Sequence, residues 1–168
     1  SEGSILRCRA CEAGYKTVAG IPDLRVPGGS WIDFEDDLEI AQDLAASQHP
    51  TLADLVRSVY ARRSGWDEKR IEMRTSQVLQ GASRLREDLR GWLSSAVRPN
   101  RRFLDLGCGA GMLLAAAAAN GCKGVGVDVS MTWLVVAKRL IAEAGGEPVL
   151  AAALGEFLPL PDQAVDAV

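Results

Sequence analysis

The chain has 168 residues, 48% of them hydrophobic and 24% charged, with a formal net charge of −3 and a pI near 5.2. This is enough length and apolar content for a substantial buried core, and no disorder signal dominates. The charge gives no overall basic footprint, which weakens the case for a nucleic-acid substrate while leaving room for a local patch. No apolar run approaches the roughly 20 residues of a membrane span. Ser1 to Arg9 also lacks the apolar stretch of a secretory signal. A cytoplasmic protein with no membrane partner is therefore expected.

In chain order the first conspicuous feature is Cys8-Arg9-Ala10-Cys11. A CxxC lets two thiolates meet one tetrahedral zinc, but a structural zinc takes four ligands and no histidine stands nearby. Cys108 and Cys122 fit the role of small, semi-buried residues. Pro27-Gly28-Gly29-Ser30 is turn chemistry and reads as a linker. Asp33 to Ala46 predicts a helix whose early acidic residues suit its own dipole. Thr51-Leu52-Ala53-Asp54 has the form of a capping box, so a second helix should run to about Arg63 and stop at Ser64-Gly65. From Asp67 to Ala96, Ile71, Val78, Ala82, Leu85, Leu89 and Trp92 recur at three- and four-residue spacing and mark one face of a long amphipathic helix, with Gly81 as a possible bend. This helical region would pack on a sheet and wall or cover a site. His49 has no titratable partner close in sequence, which leaves a histidine-dependent hydrolase without support. Arg84, Arg86, Arg90, Arg98, Arg101 and Arg102 are interleaved with acids in the manner of a solvated face, and form the best candidate for phosphate contact if the substrate is RNA. Trp31, Trp66, Trp92 and Trp133 are dispersed, as core or interface anchors are.

From Arg101 onward the order is strand (to Leu106), helix (Gly111 to Asn120), strand (Lys123 to Asp128), helix (Met131 to Ala144), strand (Glu147 to Ala152), a loop, and the start of a strand at Ala164. Gly121 and Gly145-Gly146 supply helix stops. Alternating strands and helices predict a doubly wound parallel sheet with ligands at the carboxyl ends of its strands. Phe103-Leu104-Asp105-Leu106-Gly107-Cys108-Gly109-Ala110-Gly111 reads as a buried strand entering a glycine turn, which brings backbone N–H groups near a nucleotide-like ligand. The glycines do not follow GxGxxG, because Met112 holds the last position, and this argues against NAD. Asp105, two residues before the first glycine, suits a cationic amine. Asp128 lies about 20 residues beyond the turn, where a carboxylate reaches ribose hydroxyls. The alternative is that Asp128 only caps the helix starting near Ser130.

FLDLGCGAG, with Asp128 behind it, resembles the first motif of the class I S-adenosylmethionine-dependent methyltransferases. The resemblance implies an α/β fold, here a partial doubly wound (Rossmann-like) parallel sheet preceded by a helical region. It implies S-adenosylmethionine as cofactor, held by Asp105, Leu106, Gly107, Cys108, Gly109, Gly111, Asp128 and Val129. A third segment, from Ala151 to Val168, resembles the family's D-x-x-x-LP-x-P-D-x-x-x-D-x-V, with Leu158-Pro159 and Pro161-Asp162 in place but Leu154 where an acidic residue often meets the adenine. Adenine contact would then fall to apolar surface and to Gly155 and Glu156. Tyr15 and Gly20-Ile21-Pro22-Asp23-Leu24 resemble the tail of the zinc ribbon that precedes some bacterial methyltransferases. On that resemblance Cys8 and Cys11 are half of a structural zinc site whose other ligands precede Ser1. The expected division is a ribbon-like segment and linker (1–30), a helical region (31–98) and the cofactor-binding part (99–168). The expected function is methyl transfer to an unidentified acceptor. The alternatives are a non-catalytic module that binds the cofactor or a partner protein and, less favoured, a nicotinamide-dependent oxidoreductase. The family's catalytic base would follow the fourth strand, so none is named. Because the sequence stops within that strand, a second chain or a second copy is expected to cover its free edge.

Overall fold

The computed structural model describes residues 4–26, 32–88, 91 and 102–168. The N-terminal segment is an antiparallel meander of β1 (Ile5–Arg7), β2 (Gly14–Val18) and β3 (Ile21–Pro22), in register through Leu6↔Tyr15 and Val18↔Ile21. Ala19 and Gly20 form the tight turn between β2 and β3 with φ of 51° and 81°. Positive φ at both central residues matches the twist of the flanking strands.

Three helices follow. α1 (Phe34–Ala46) starts at Asp33, whose side chain accepts from the N–H groups of Glu35 and Asp36. α2 (Leu52–Ala61) starts at the expected capping box, with Thr51 and Asp54 each accepting from the other's backbone N–H. α3 (Glu68–Asp88) buries Ile71, Thr75 and Val78 and packs Ala82 and Leu85 against the core. The expected extension through Leu89 and Trp92 to Ala96 lies outside the described residues, as does the linker at Pro27 to Ser30. Gly81 lies within α3, which continues through it, and serves packing. A Cβ there would lie 1.9 Å from Sδ of Met112, so the missing side chain is what lets the two segments touch.

The sheet consists of β4 (Arg102–Leu106), β5 (Lys123–Asp128) and β6 (Val149–Ala152), all parallel in the order β4-β5-β6, with α4 (Met112–Ala118) and α5 (Met131–Glu143) as the crossovers. Gly124 and Gly126 leave β5 bare on one face. A Cβ on either would lie within 2.6 Å of Leu114, so α4 settles directly on the strand. The main core runs from Val18 and Ile21 through Leu44, Val56 and Val78 to Phe103, Met131, Leu134 and Val136. On the other sheet face, Leu104, Val127 and Ala153 are covered by Leu24, Leu160 and Val165. Trp66 and Trp133 join this packing through Tyr60, stacked on Trp66 at 5.3 Å and edge-on to Trp133 at 5.2 Å.

Both flanks of the sheet carry short additions. The expected strand at Ala164 reaches β4 only at its end. Asp166 N–H donates to the Arg102 carbonyl at 2.7 Å and Leu104 N–H to the Ala167 carbonyl at 2.9 Å, giving one parallel bridge rather than a regular strand. The preceding turn, with Gln163 at φ 59°, delays the approach. On the opposite flank the chain leaving β3 runs parallel to β6, bridging Asp23 to Ala152, with Leu24 N–H donating to the Ala152 carbonyl at 2.8 Å. The chain leaving β3 thus pairs with the outer edge of β6 at its carboxyl end, through Ala152.

Candidate functional site

The carboxyl ends of β4 and β5 lie side by side, with Leu106 paired to Val127. The chain leaving β4 is pinned to its neighbour at once, because the N–H groups of Gly107 and Cys108 both donate to the Val127 carbonyl, at 2.8 and 3.1 Å. It then turns through three left-handed glycines, Gly107, Gly109 and Gly111, at φ 74°, 50° and 75°. An L side chain pays steric strain there, so glycine is required by the backbone itself. Their surroundings differ. A Cβ on Gly107 or Gly109 would meet nothing within 4 Å, whereas one on Gly111 would lie 2.8 Å from Cβ of Ala137. The first two keep open space beside the backbone, and the third lets the start of α4 press against α5.

Asp128 ends β5 facing this turn. Its Oδ2 accepts from Gly109 N–H and its Oδ1 from Ser130 N–H, both at 2.8 Å. The helix cap itself is Ser130, whose Oγ accepts from Trp133 N–H at 3.4 Å. Each carboxylate oxygen of Asp128 retains a lone pair for a further donor. Asp105 is half-buried on β4, and its pKa is pushed up to about 6, by burial first and then by the charge of Asp128. Among the described residues no hydrogen bond reaches its carboxylate. Cys108 is buried in the turn; burial, then the charges of Asp128 and Asp105, push its thiol well up, so it sits there as a neutral small side chain.

The structure therefore brings Asp105, Leu106, Gly107, Cys108, Gly109, Gly111, Asp128 and Val129 to one end of the sheet. Leu106 is 46% exposed at this end, and Gly155 approaches it, a Cβ there lying 3.7 Å from the leucine side chain. Leu154 is half-buried, and Glu156 is exposed in the turn after it. Elsewhere, Cys8 and Cys11 lie at the tip of the β1–β2 hairpin, which Cys8 closes by donating its N–H to the Ala13 carbonyl at 2.9 Å. The Cys8 thiol is held below its ordinary pKa by the backbone N–H groups of Ala10 and then Cys11, and by the Cys11 side chain. Two thiols are half of a tetrahedral set, and among the described residues no group of three or more His, Cys, Asp and Glu is placed to hold a metal. Of the arginine cluster, Arg84 bonds Gln80 and Arg102 is exposed, while Arg90, Arg98 and Arg101 lie outside the described residues. The His49 ring meets Ser58 Oγ at 3.5 Å through Nδ1, its Nε2 is buried without a partner among the described residues, and its carbonyl accepts from Arg139 Nη1 at 3.1 Å.

Two residues that sequence reasoning passed over stand behind the site. Arg25 and Asp37 form a buried ion pair at 2.8 Å, and Asp37 reaches across to accept from Met131 N–H and Ser130 Oγ at 2.7 and 2.9 Å. In the sequence Asp37 is one of several acidic residues in the first turn of α1. In the structure its carboxylate serves the N-terminus of α5 instead. The only local signal was an arginine directly after an apolar Gly-Ile-Pro-Asp-Leu segment, and nothing in it names a partner.

Comparison with known proteins bears on this end of the sheet. Residues 103–168 match a family of methyltransferase domains. The match begins at β4 and takes in both turns, and it spans about two fifths of the chain. No curated protein matches the chain. Among solved structures, YjhP from E. coli is similar at 24% identity and a TM-score of 0.40, over 70% of this chain and 42% of its own. A SAM-dependent methyltransferase from Thiobacillus denitrificans, solved with S-adenosyl-L-homocysteine, is similar at 22% identity and a TM-score of 0.39, over 72% of this chain and 43% of its own. The chain thus spans less than half the length of either protein. Among the described residues no helix is long and apolar enough to cross a membrane.

Proposed function

We propose that the ends of β4 and β5 bind S-adenosylmethionine and that the chain serves methyl transfer to an acceptor its described residues do not identify. The observation that carries this reading is the pair of open glycines, Gly107 and Gly109, facing a carboxylate at the tip of the adjacent parallel strand. The methyltransferase-domain match over the same residues supports it.

In this reading Gly107 and Gly109 let the backbone approach the methionine part of the cofactor. Asp105 meets its ammonium group, Asp128 accepts from its ribose hydroxyls, and Leu106 with Gly155 offers apolar surface to the adenine. Glu156 stands at the rim of that surface. Bound S-adenosylmethionine supplies an electrophilic methyl group. What the protein adds is position, and holding two reactants in near-attack geometry is worth up to about 7–11 kcal/mol in the best cases. No residue of this chain is assigned as a base. The division at residues 30 and 98 belongs to the same proposal; both boundaries fall in segments outside the described residues. For zinc, Cys8 and Cys11 make an incomplete donor set, and no part of the reaction is assigned to it.

The test is a calorimetric titration of the chain with S-adenosylhomocysteine, with NADH in parallel and with Asp128→Ala as the variant. Micromolar binding of S-adenosylhomocysteine that the substitution abolishes is the expected result. Binding of NADH alone would sink the proposal.

A further inference from the structure

Arg25 lies outside the matched residues and outside every motif of the site, yet its side chain is 1% exposed and every one of its donors is used. Nε and Nη2 grip Asp23 at 2.8 and 2.7 Å in a two-pronged pair. Nη1 donates to Asp37 Oδ2 at 2.8 Å and to the Val129 carbonyl at 3.0 Å. Nη2 also donates to the Phe34 carbonyl at 3.3 Å, and the guanidinium lies 4.5 Å over the Phe34 ring. A guanidinium has five N–H donors in a fixed fork, and all five meet acceptors here.

The acceptors say what the fork holds. Val129 is the residue between Asp128 and Ser130. Asp37, fixed by Arg25, accepts from Ser130 Oγ, Met131 N–H and Thr132 N–H at 2.9, 2.7 and 3.3 Å, two of them first-turn donors that have no partner within a helix. The turn is thus clamped on one side by Arg25 and Asp37, and on the other by the bonds from Ser130 and Gly109 to Asp128. A buried ion pair contributes little net stability compared with apolar residues of similar volume. Its plainer consequence is geometric, because five bonds fix the guanidinium and the guanidinium fixes the turn.

We propose that Arg25 is a positioning residue of the cofactor site, which, directly and through Asp37, sets the Asp128–Ser130 turn so that Asp128 meets the ribose hydroxyls. This rests on the reading of Asp128 given above. It makes the segment that follows the N-terminal meander part of the site, since Asp23, which bridges to β6, also holds Arg25.

The test compares wild type, Arg25→Gln and Arg25→Lys in the full chain by two measurements. One is affinity for S-adenosylhomocysteine and for its 2′-deoxy analogue. The other is the amide resonances of Gly109 and Ser130 without ligand. In Arg25→Gln the preference for the 2′-hydroxyl narrows and both amides move, with S-adenosylhomocysteine bound roughly two- to thirtyfold more weakly, the range for groups acting on a site without touching the ligand. Arg25→Lys does not restore the preference, because an ammonium has three donors. Equal weakening of both ligands, or no weakening, with the amides unmoved, would overturn the proposal, since a general loss of stability does not select the ribose hydroxyl. If wild type binds neither ligand, the function proposed above fails, and the amides alone decide whether Arg25 positions the turn. If Arg25→Gln does not fold, Asp23→Asn removes the two-pronged grip and is judged by the same two measurements.

Discussion

Two turns face each other at the ends of β4 and β5, and they are built by opposite means. The turn from Gly107 to Gly111 is set mainly by its own backbone, with three residues in the left-handed region and, among the described residues, one side-chain bond from outside, Gly109 N–H to Asp128. The turn from Asp128 to Ser130 has ordinary residues and is held from outside, by Arg25 and by Asp37, which lie 104 and 93 residues away from the groups they bind. A site wall can therefore be encoded by local conformational demand or by long-range charge. The two modes should fail differently under mutation.

The largest expected effect is on the charged side. Asp37→Ala removes the acceptor for Ser130, Met131 and Thr132 and takes from Arg25 one of its two carboxylates. Removing one partner of a buried pair costs about 3–5 kcal/mol, and urea unfolding of the variant should show a loss in that range. A loss under about 1 kcal/mol, the scale of an exposed pair, would mean that the second turn is not held by charge and would erase the contrast.

The same contrast explains what could be read in advance. The glycine turn, the flanking strands and helices and the capping box at Thr51 arise from residues within a few positions of one another, and the carboxylate at Asp128 stands at a fixed spacing of about 20 residues beyond the turn, so spacing and residue type expose them. Asp37 belongs to an acidic first turn that satisfies its own helix dipole equally well, and Arg25 follows an apolar segment with no partner in sight. Their roles exist only once α1 lies across the N-terminus of α5. Gly81 was likewise readable as a helix irregularity, and only the approach of Met112 shows why it lacks a side chain. At the sheet flanks, the bridge from Asp23 to Ala152 joins residues far apart in the chain, and no local pattern announces it.

A smaller effect separates two glycines of the local turn. Gly107→Ala meets only the left-handed penalty, about 1–2 kcal/mol, because no atom lies near its Cβ. Gly111→Ala carries the same penalty and also drives a methyl to 2.8 Å from Cβ of Ala137. Overpacking of that kind adds about 1–3 kcal/mol. Unfolding free energies should therefore rank Gly111→Ala as the more damaging, and adding Ala137→Gly should recover part of the packing loss, offset by about 0.5–1 kcal/mol for a glycine inside α5. Equal losses at the two positions would show that Gly111 serves only the backbone.

The smallest effect tests whether the two turns act on one ligand. With its pKa raised to about 6, Asp105 passes from carboxylic acid to carboxylate between pH 5 and 7 in the free protein. An ammonium group binds the carboxylate, so affinity for S-adenosylhomocysteine should rise with pH through that window and level off above it. If only the ionised form binds, the gain from pH 5 to pH 7 is about tenfold, or about 1.4 kcal/mol. Stability moves the other way. A carboxyl whose folded pKa exceeds its unfolded value of about 3.9 favours the folded state most at low pH, and that contribution is lost as pH rises through about 6. Asp105→Asn should flatten both trends. Part of the elevation comes from Asp128, so displacing that carboxylate by Arg25→Gln should also shift the midpoint of the affinity curve. A midpoint unmoved by Arg25→Gln would leave Asp105 answering to burial alone, and the clamped turn would then have no influence on the strand that precedes the glycines.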